Sequence, residues 1–161
     1  NPAGEYATAQ LKKEAISFGI EIVEYPLQEP PGPASIVEVK RVMGAIQPGD
    51  IDAFIHIPTP INIEGNIQTM LATGERLKIP TIMLNPLGLL SYGPDLDSIG
   101  KQSAVIANKI FEGTLPSDIP LEFPQKYNLI INTKIAEDLG IVIPESLRII
   151  ADRLIQEPIG L

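Results

Sequence analysis

The sequence predicts an α/β fold: a mostly parallel sheet flanked by helices, in one domain spanning residues 1–161. Three observations predict it. Short apolar runs suited to strands alternate with stretches of helical periodicity, about one unit per 25 residues. Proline and glycine fall mainly between those segments, where they end elements rather than interrupt them. The 161 residues, 44% of them hydrophobic, suffice for one good core.

Each element has its own signal. Leu11, Ala15 and Phe18 recur at helical spacing, and Gly19 stands where a helix ends in a left-handed turn. "IEIVEYP" (20–26) alternates like a strand and stops at Pro26, and "QEPPGP" (28–33) is a turn-rich connector. "SIVE" (35–38) has capping-box spacing, with Ser35 ahead of a helix face formed by Ile36, Val39, Met43 and Ile46. "QPGD" (47–50) breaks that helix, and "IDAFIHIP" (51–58) reads as a buried strand running into "PTPIN". Ile63, Ile67, Met70, Leu71 and Leu77 mark the next helix; "IPTIML" (79–84) and "LGLLSYG" (87–93) are two further strands.

Asp95, Asp97 or Ser98 is placed to cap the following helix, with Asp97 favoured. Ile99, Ile106 and Ile110 form its face, and Gly113 ends it. Apolar residues on the 98–112 helix, such as Ile106 and Ile110, are expected to mediate self-association or to pack against a further segment. "TLPSDIP" (114–120) is a connector, and "LEFPQKYNLIIN" (121–132) is extended, with a strong strand in "YNLII". Asn132 or Thr133 caps a short helix that finishes at Gly140. A last helix starts near Glu145, with Leu147, Ile150, Ala151 and Leu154 inward.

Bulk chemistry narrows the function. The net charge is -8, with no run of Lys or Arg, which disfavours nucleic acid as a partner. No cysteine is present, so disulfides, thiolate metal sites and cysteine nucleophiles are excluded. No apolar run approaches the roughly 20 residues of a membrane span. No phosphate-binding glycine loop occurs. His56 is the sole histidine, so a metal site or a Ser-His-acid triad would have to recruit it, and a lone strand histidine is more often structural. Neither metal nor cofactor is expected. An enzyme built on Asp95, Tyr92 and His56 rests only on polar residues at strand ends, which any α/β fold provides.

Parallel sheets bind ligands beyond the carboxyl ends of their strands. Three polar corners fall at such ends: "PTPIN" (58–62), "LNP" (84–86) and "SYGPD" (91–95). If the strands are parallel, all three open on one edge, which suits a small-molecule site. Asp95, after Gly93 and Pro94, offers a carboxylate to a ligand ammonium or hydroxyl. Tyr92 suits an organic ligand and a half-buried core position equally. Asp95 and Asp97 are two apart in a turn and need not face each other, so an acid pair for glycoside hydrolysis is disfavoured.

Residues 91–155 closely resemble the C-terminal part of the ABC-transporter substrate-binding proteins of the tryptophan/tyrosine-type group. The matching elements are the SYGPD turn (Ser91 to Asp95), a helix ending Lys109 to Gly113, the Pro116 to Pro120 connector, Leu129 to Asn132, and Ala136 to Pro144. The earlier part, through "IDAFIHIPTP" and "LKIPTIMLNP", looks like the family's second lobe. The resemblance implies a lobe of the periplasmic-binding-protein type, a three-layer α/β/α unit, with the N-terminal lobe absent. It implies a carrier rather than an enzyme, one that holds a small organic solute such as an aromatic amino acid and delivers it to an ABC permease. It implies a periplasmic or extracellular location, with a membrane anchor outside these residues. A ligand-sensing domain of a membrane signalling protein is the alternative, and a homodimer through exposed lobe surface is a further expectation. By position match the ligand-facing residues are Thr59, Asn62, Asn85, Ser91, Tyr92 and Asp95, with Asn1 and Tyr6 where the family's first strand-to-helix loop falls. The chain departs from the pattern in the connection "NPLGLL", which is several residues shorter than usual.

Overall fold

The computed structural model describes residues 2–27, 33–57 and 64–157. Helix α1 (Pro2–Ala15) runs into a single 3-10 turn, and Gly19 ends it in the left-handed region at φ 68°. Helix α2 (Pro33–Ala45) is followed by strand β1 (Phe54–Ile55), helix α3 (Glu64–Leu77) and strand β2 (Thr81–Met83). Strand β3 (Leu90–Pro94) leads directly into helix α4 (Leu96–Phe111). Strand β4 (Tyr127–Asn132), helix α5 (Thr133–Leu139), helix α6 (Glu145–Ile150) and strand β5 (Arg153–Ile155) complete the chain.

The strands form one sheet in the order β1-β2-β3-β4-β5. β1, β2 and β3 are mutually parallel, β4 runs antiparallel to β3, and β5 is parallel to β4. This is the mixed but mostly parallel α/β architecture that the alternation of apolar runs implies. α3 carries the chain from β1 to β2, and α5 with α6 carries it from β4 to β5, as parallel pairs require. β2 and β3 differ, because six residues (84–89) join them.

The core lies where α2 and α3 pack together and against β2. Val39, Val42, Met43 and Ile46 of α2 and its C-terminal end meet Ile67, Met70 and Leu77 of α3, with Met83 and Leu87 closing the cluster. Each such side chain contributes about 1.5–3 kcal/mol by leaving water. Two polar links fix the helix pair. The Asn66 Nδ2 donates to the Ser35 Oγ at 3.0 Å, both residues being fully buried. The Arg76 guanidinium donates to the carbonyls of Met43 and Ile46, each at 3.0 Å. Those carbonyls belong to the end of α2, where orphan acceptors and the negative end of the helix dipole favour a cation.

Several local expectations need correction. The buried strand expected over 51–58 is only Phe54–Ile55, and Ile55 is 41% exposed, because only these two residues pair with β2. Ser35 is inside α2 rather than capping it, because the helix begins at Pro33, a residue preorganised for a first turn. Residues 20–27 form no ladder, since no described strand lies beside them; the segment is tied to α1 by an ion pair from Lys12 to Glu24 at 2.8 Å. The last helix stops at Ile150, so Leu154 lies in β5, and both side chains are substantially exposed. "SYGPD" is mostly strand rather than turn: β3 continues through Pro94, drawn out by its antiparallel register with β4, in which Tyr92 pairs with Leu129 and Pro94 with Tyr127.

α4 stands apart. None of its residues is buried, although Leu96, Val105, Ile110 and Phe111 are large and apolar. The side-chain amide of Gln102 donates to the Glu122 carboxylate at 3.0 Å and to the Phe123 carbonyl at 3.1 Å, so the helix is tied to the returning connector. At the base of this excursion the Asp95 N–H donates to the Lys126 carbonyl at 2.9 Å.

Candidate functional site

Parallel pairing of β1, β2 and β3 brings the carboxyl ends of all three strands to one edge of the sheet. The polar residues that follow β2 and β3 therefore share a rim. A tight fold of residues 84–89 sets its shape. The Leu87 N–H donates back to the Asn85 carbonyl at 2.8 Å, and the Ser91 hydroxyl donates to the Leu84 carbonyl at 2.7 Å. Gly88 passes directly beneath β2, where a Cβ would lie 2.6 Å from the Thr81 carbonyl oxygen and 2.7 Å from its Oγ1. Gly93 lets β3 run past Leu84, whose Cδ1 would be 2.6 Å from a Cβ there. Two close approaches by glycine thus hold Asn85 beside β3.

Tyr92 projects from β3 with 60% of its surface exposed. Its ring stacks on that of Tyr127, with centroids 5.7 Å apart and planes 18° from parallel. The two tyrosines are diagonal neighbours across the antiparallel pair, which is within reach for large rings. The result is an aromatic surface with two hydroxyls, next to the start of α4.

Asp95 is the N-cap of α4. Its Oδ1 accepts from the Ser98 N–H at 2.8 Å, and its Oδ2 accepts from the Asn128 side-chain amide at 2.6 Å. The Asn128 hydrogen bond foremost, then the Ser98 N–H, hold its carboxyl below the usual carboxylate range, with Lys126 and Lys101 assisting against a smaller desolvation effect. Asp95 is therefore an anion at neutral pH, with a lone pair left on each oxygen for a further donor. The expectation that Asp97 caps the helix is corrected: the chain stays extended through Asp95, so Asp97 falls in the first turn, exposed.

The expected site residues separate into three groups. Asn85, Tyr92 and Asp95 lie together along the ends of β2 and β3, with Asn85 half-buried and without a side-chain partner among the described residues. Ser91 is only 3% exposed and its hydroxyl is engaged, so it positions the 84–89 fold from below the rim. Tyr6 is exposed on α1. Asn1, Thr59 and Asn62 lie outside the described residues. His56 is buried immediately after β1, its backbone N–H donating to the Ile82 carbonyl at 2.9 Å. Among the described residues no group of three or more His, Asp or Glu is placed to hold a metal ion. Sequence reasoning missed Tyr127 and Asn128. Both fall in a segment that reads only as a strand, and nothing local announces which residues of β3 they face.

A groove of about 1280 Å³ opens elsewhere, between residues 19–27 and β1, with Gly4, Glu5 and Thr8 of α1 along one side. Asn85, Tyr92 and Asp95 do not line it.

These features place the chain in the α/β class, with an amide, a stacked tyrosine pair and a fixed carboxylate near the ends of β2 and β3. Within that class, residues 3–155 match the family described as ABC transporter substrate binding protein, and the chain belongs to it. No curated protein matches the chain. Among solved structures it is similar to a conserved domain protein from Vibrio cholerae O1 biovar El Tor, at 25% identity and a TM-score of 0.77, over 92% of this chain and 49% of that one. It is similar to an ABC domain from Streptococcus pneumonia in complex with L-Trp, at 22% identity and a TM-score of 0.76, over 94% and 50%. A substrate-binding protein with adhesive properties from Clostridium difficile, in a ligand-free, open structure, shares 21% identity and a TM-score of 0.65, over 98% and 52%. The chain spans about half the length of the structures it matches.

Proposed function

We propose that this chain is the second lobe of a two-lobed solute receptor for an ABC-type uptake system, and that it holds a small organic solute without transforming it. The observation that carries the reading is the family match over residues 3–155, joined to a rim bearing Asn85, Tyr92 and Asp95. The stacked tyrosines offer an apolar ligand a face, Asp95 offers an ammonium a counter-ion, and Asn85 offers both a donor and an acceptor. That set suits an amino acid with a large apolar side chain, in keeping with the L-Trp complex of a protein of the same fold. In this reading Thr59, Asn62, Asn1 and Tyr6 are further ligand-contact candidates, by position match in the sequence alone.

The apolar, unburied α4 fits a protein with a second lobe for it to pack on, as does a length half that of the matching structures. Delivery to a membrane permease, and a location in the periplasm or outside the cell, follow from the same reading. Among the described residues no helix is long and apolar enough to cross a membrane. The test is calorimetry on the full-length protein against a panel of amino acids and small organic acids, with Tyr92→Ala alongside. The expected result is heat from at least one aromatic amino acid, weakened about tenfold by the substitution, the scale of one aromatic contact. Silence across the panel would sink the proposal.

A further inference from the structure

We propose that Asn128, on β4, is a positioning residue of the solute site: it fixes the Asp95 carboxylate in the orientation that selects a solute carrying an ammonium group, an inference that rests on the solute-binding reading above.

The register of the sheet brings the two residues together. Asn128 is half-buried and pairs directly with Gly93 in the antiparallel ladder of β3 and β4. Asp95 lies two residues beyond Gly93, and its backbone is still extended, at φ -73° and ψ 111°. Residues two apart on an extended chain share a face, so Asn128 and Asp95 are diagonal neighbours on one side of the ladder. The Asn128 Nδ2 reaches the Asp95 Oδ2 at 2.6 Å. Sheet geometry therefore sets this contact, and no loop has to fold for it.

The helix alone does not need the bond. Capping α4 occupies one carboxylate oxygen, the Asp95 Oδ1, which accepts from the Ser98 N–H at 2.8 Å. A single contact leaves the carboxyl plane free to turn about the Cβ–Cγ bond. The second contact, from Asn128, removes that freedom and aims the remaining lone pairs. Only the donor end of an amide can face a carboxylate, so the amide is oriented as well.

Charge points to the kind of solute group that fits. Both bonded partners of Asp95 are neutral, so its negative charge is aimed without being cancelled. Lys126 and Lys101 bear on it as neighbouring charges and donate no hydrogen bond to it. An ion pair with either would have taken the place open to an ammonium. The Asn128 Oδ1 accepts from no described group, which sets a further acceptor beside the carboxylate. An ammonium, with three donors, suits such a cluster of acceptors.

The test is calorimetry at neutral pH on the full-length protein. The probes are L-phenylalanine, L-tyrosine and L-tryptophan, each beside the matching 3-arylpropionate, which lacks the amino group. In the parent, the amino acid should bind roughly ten- to a hundredfold more tightly than its partner, the scale of a hydrogen bond to a charged group. Asn128→Leu keeps the branched shape and removes the donor; it should narrow that ratio about fivefold or more. Asn128→Ala should do the same, and it serves if leucine disturbs the strand. In an Asp95→Asn background neither change should narrow the ratio further, because Asn128 acts through Asp95. A merely structural role would weaken both members of each probe pair alike. A parent without preference for the amino acids, an unmoved ratio in the Asn128 variants, or a ratio that still narrows without Asp95 would overturn the proposal and leave solute binding standing. Heat from none of the probes in the parent would overturn both.

Discussion

Gly88→Ala tests how the rim is built. The added methyl would sit 2.6 Å from the Thr81 carbonyl oxygen, 2.7 Å from the Thr81 Oγ1 and 3.2 Å from the Met83 Cγ. A comfortable carbon–oxygen approach is about 3.3 Å, so the loop must retreat by roughly 0.7 Å. Thr81 cannot yield readily: it is 5% exposed and sits in β2, with strands on both sides. Overpacking of this kind costs about 1–3 kcal/mol. For a chain of this size each kcal/mol moves Tm by about 2–4 °C, so a mid-range cost of ~2 kcal/mol lowers it by about 4–8 °C. Gly100→Ala is the control. It lies inside α4 with nothing within 4 Å of a Cβ, so the change should stabilise by about 0.5–1 kcal/mol. Both are read by thermal melting followed by circular dichroism in one buffer. A Gly88→Ala protein melting within about one degree of the parent would refute the argument, because the six-residue link would then have slack.

Arg76→Met keeps most of the stem but leaves the carbonyls of Met43 and Ile46 without their donor; a loss of about 1–3 kcal/mol is expected in urea unfolding, with unchanged m. Asp95 adds a pH signature. Its folded pKa is depressed, so its contribution to stability is complete above the unfolded value of about 3.9 and disappears as pH falls through the folded value. Asp95→Asn still caps a helix but cannot ionise, so the gap in urea midpoint between parent and variant should be open at pH 6 and close on acidification below about pH 4. Asn128→Ala removes the strongest depressing contact on Asp95, and a carboxyl resonance titrating closer to its ordinary position by NMR is the expected outcome.

The parts of the fold that were legible are those fixed by neighbours along the chain. Gly19 and Gly140 end helices in the left-handed region, and Asn132 caps α5 by accepting from the Ile135 N–H, because each depends on three or four consecutive residues. The parts that were not legible depend on partners distant in sequence. "IEIVEYP" has the composition of a strand, but a strand needs a neighbour to bond with, and the described residues supply none. Residues 151–155 have helical spacing, yet pairing of Arg153 with Ile130 and Leu154 with Ile131 draws them into the sheet. The rim follows the same division. Asn85, Tyr92 and Asp95 could be picked out because parallel strands must end on one edge. Tyr127 and Asn128 could not, since only the register between β3 and β4 brings them across.

The excursion carrying α4 leaves the sheet at Asp95 and comes back at Lys126, and these two residues are bonded to each other. An appendage on two side-by-side tethers swings about the line joining them and resists spinning around its own length. Tyr92, Tyr127 and Asp95 sit beside that line, so the sheet end of the arm and the tyrosine pair share one short stretch of backbone.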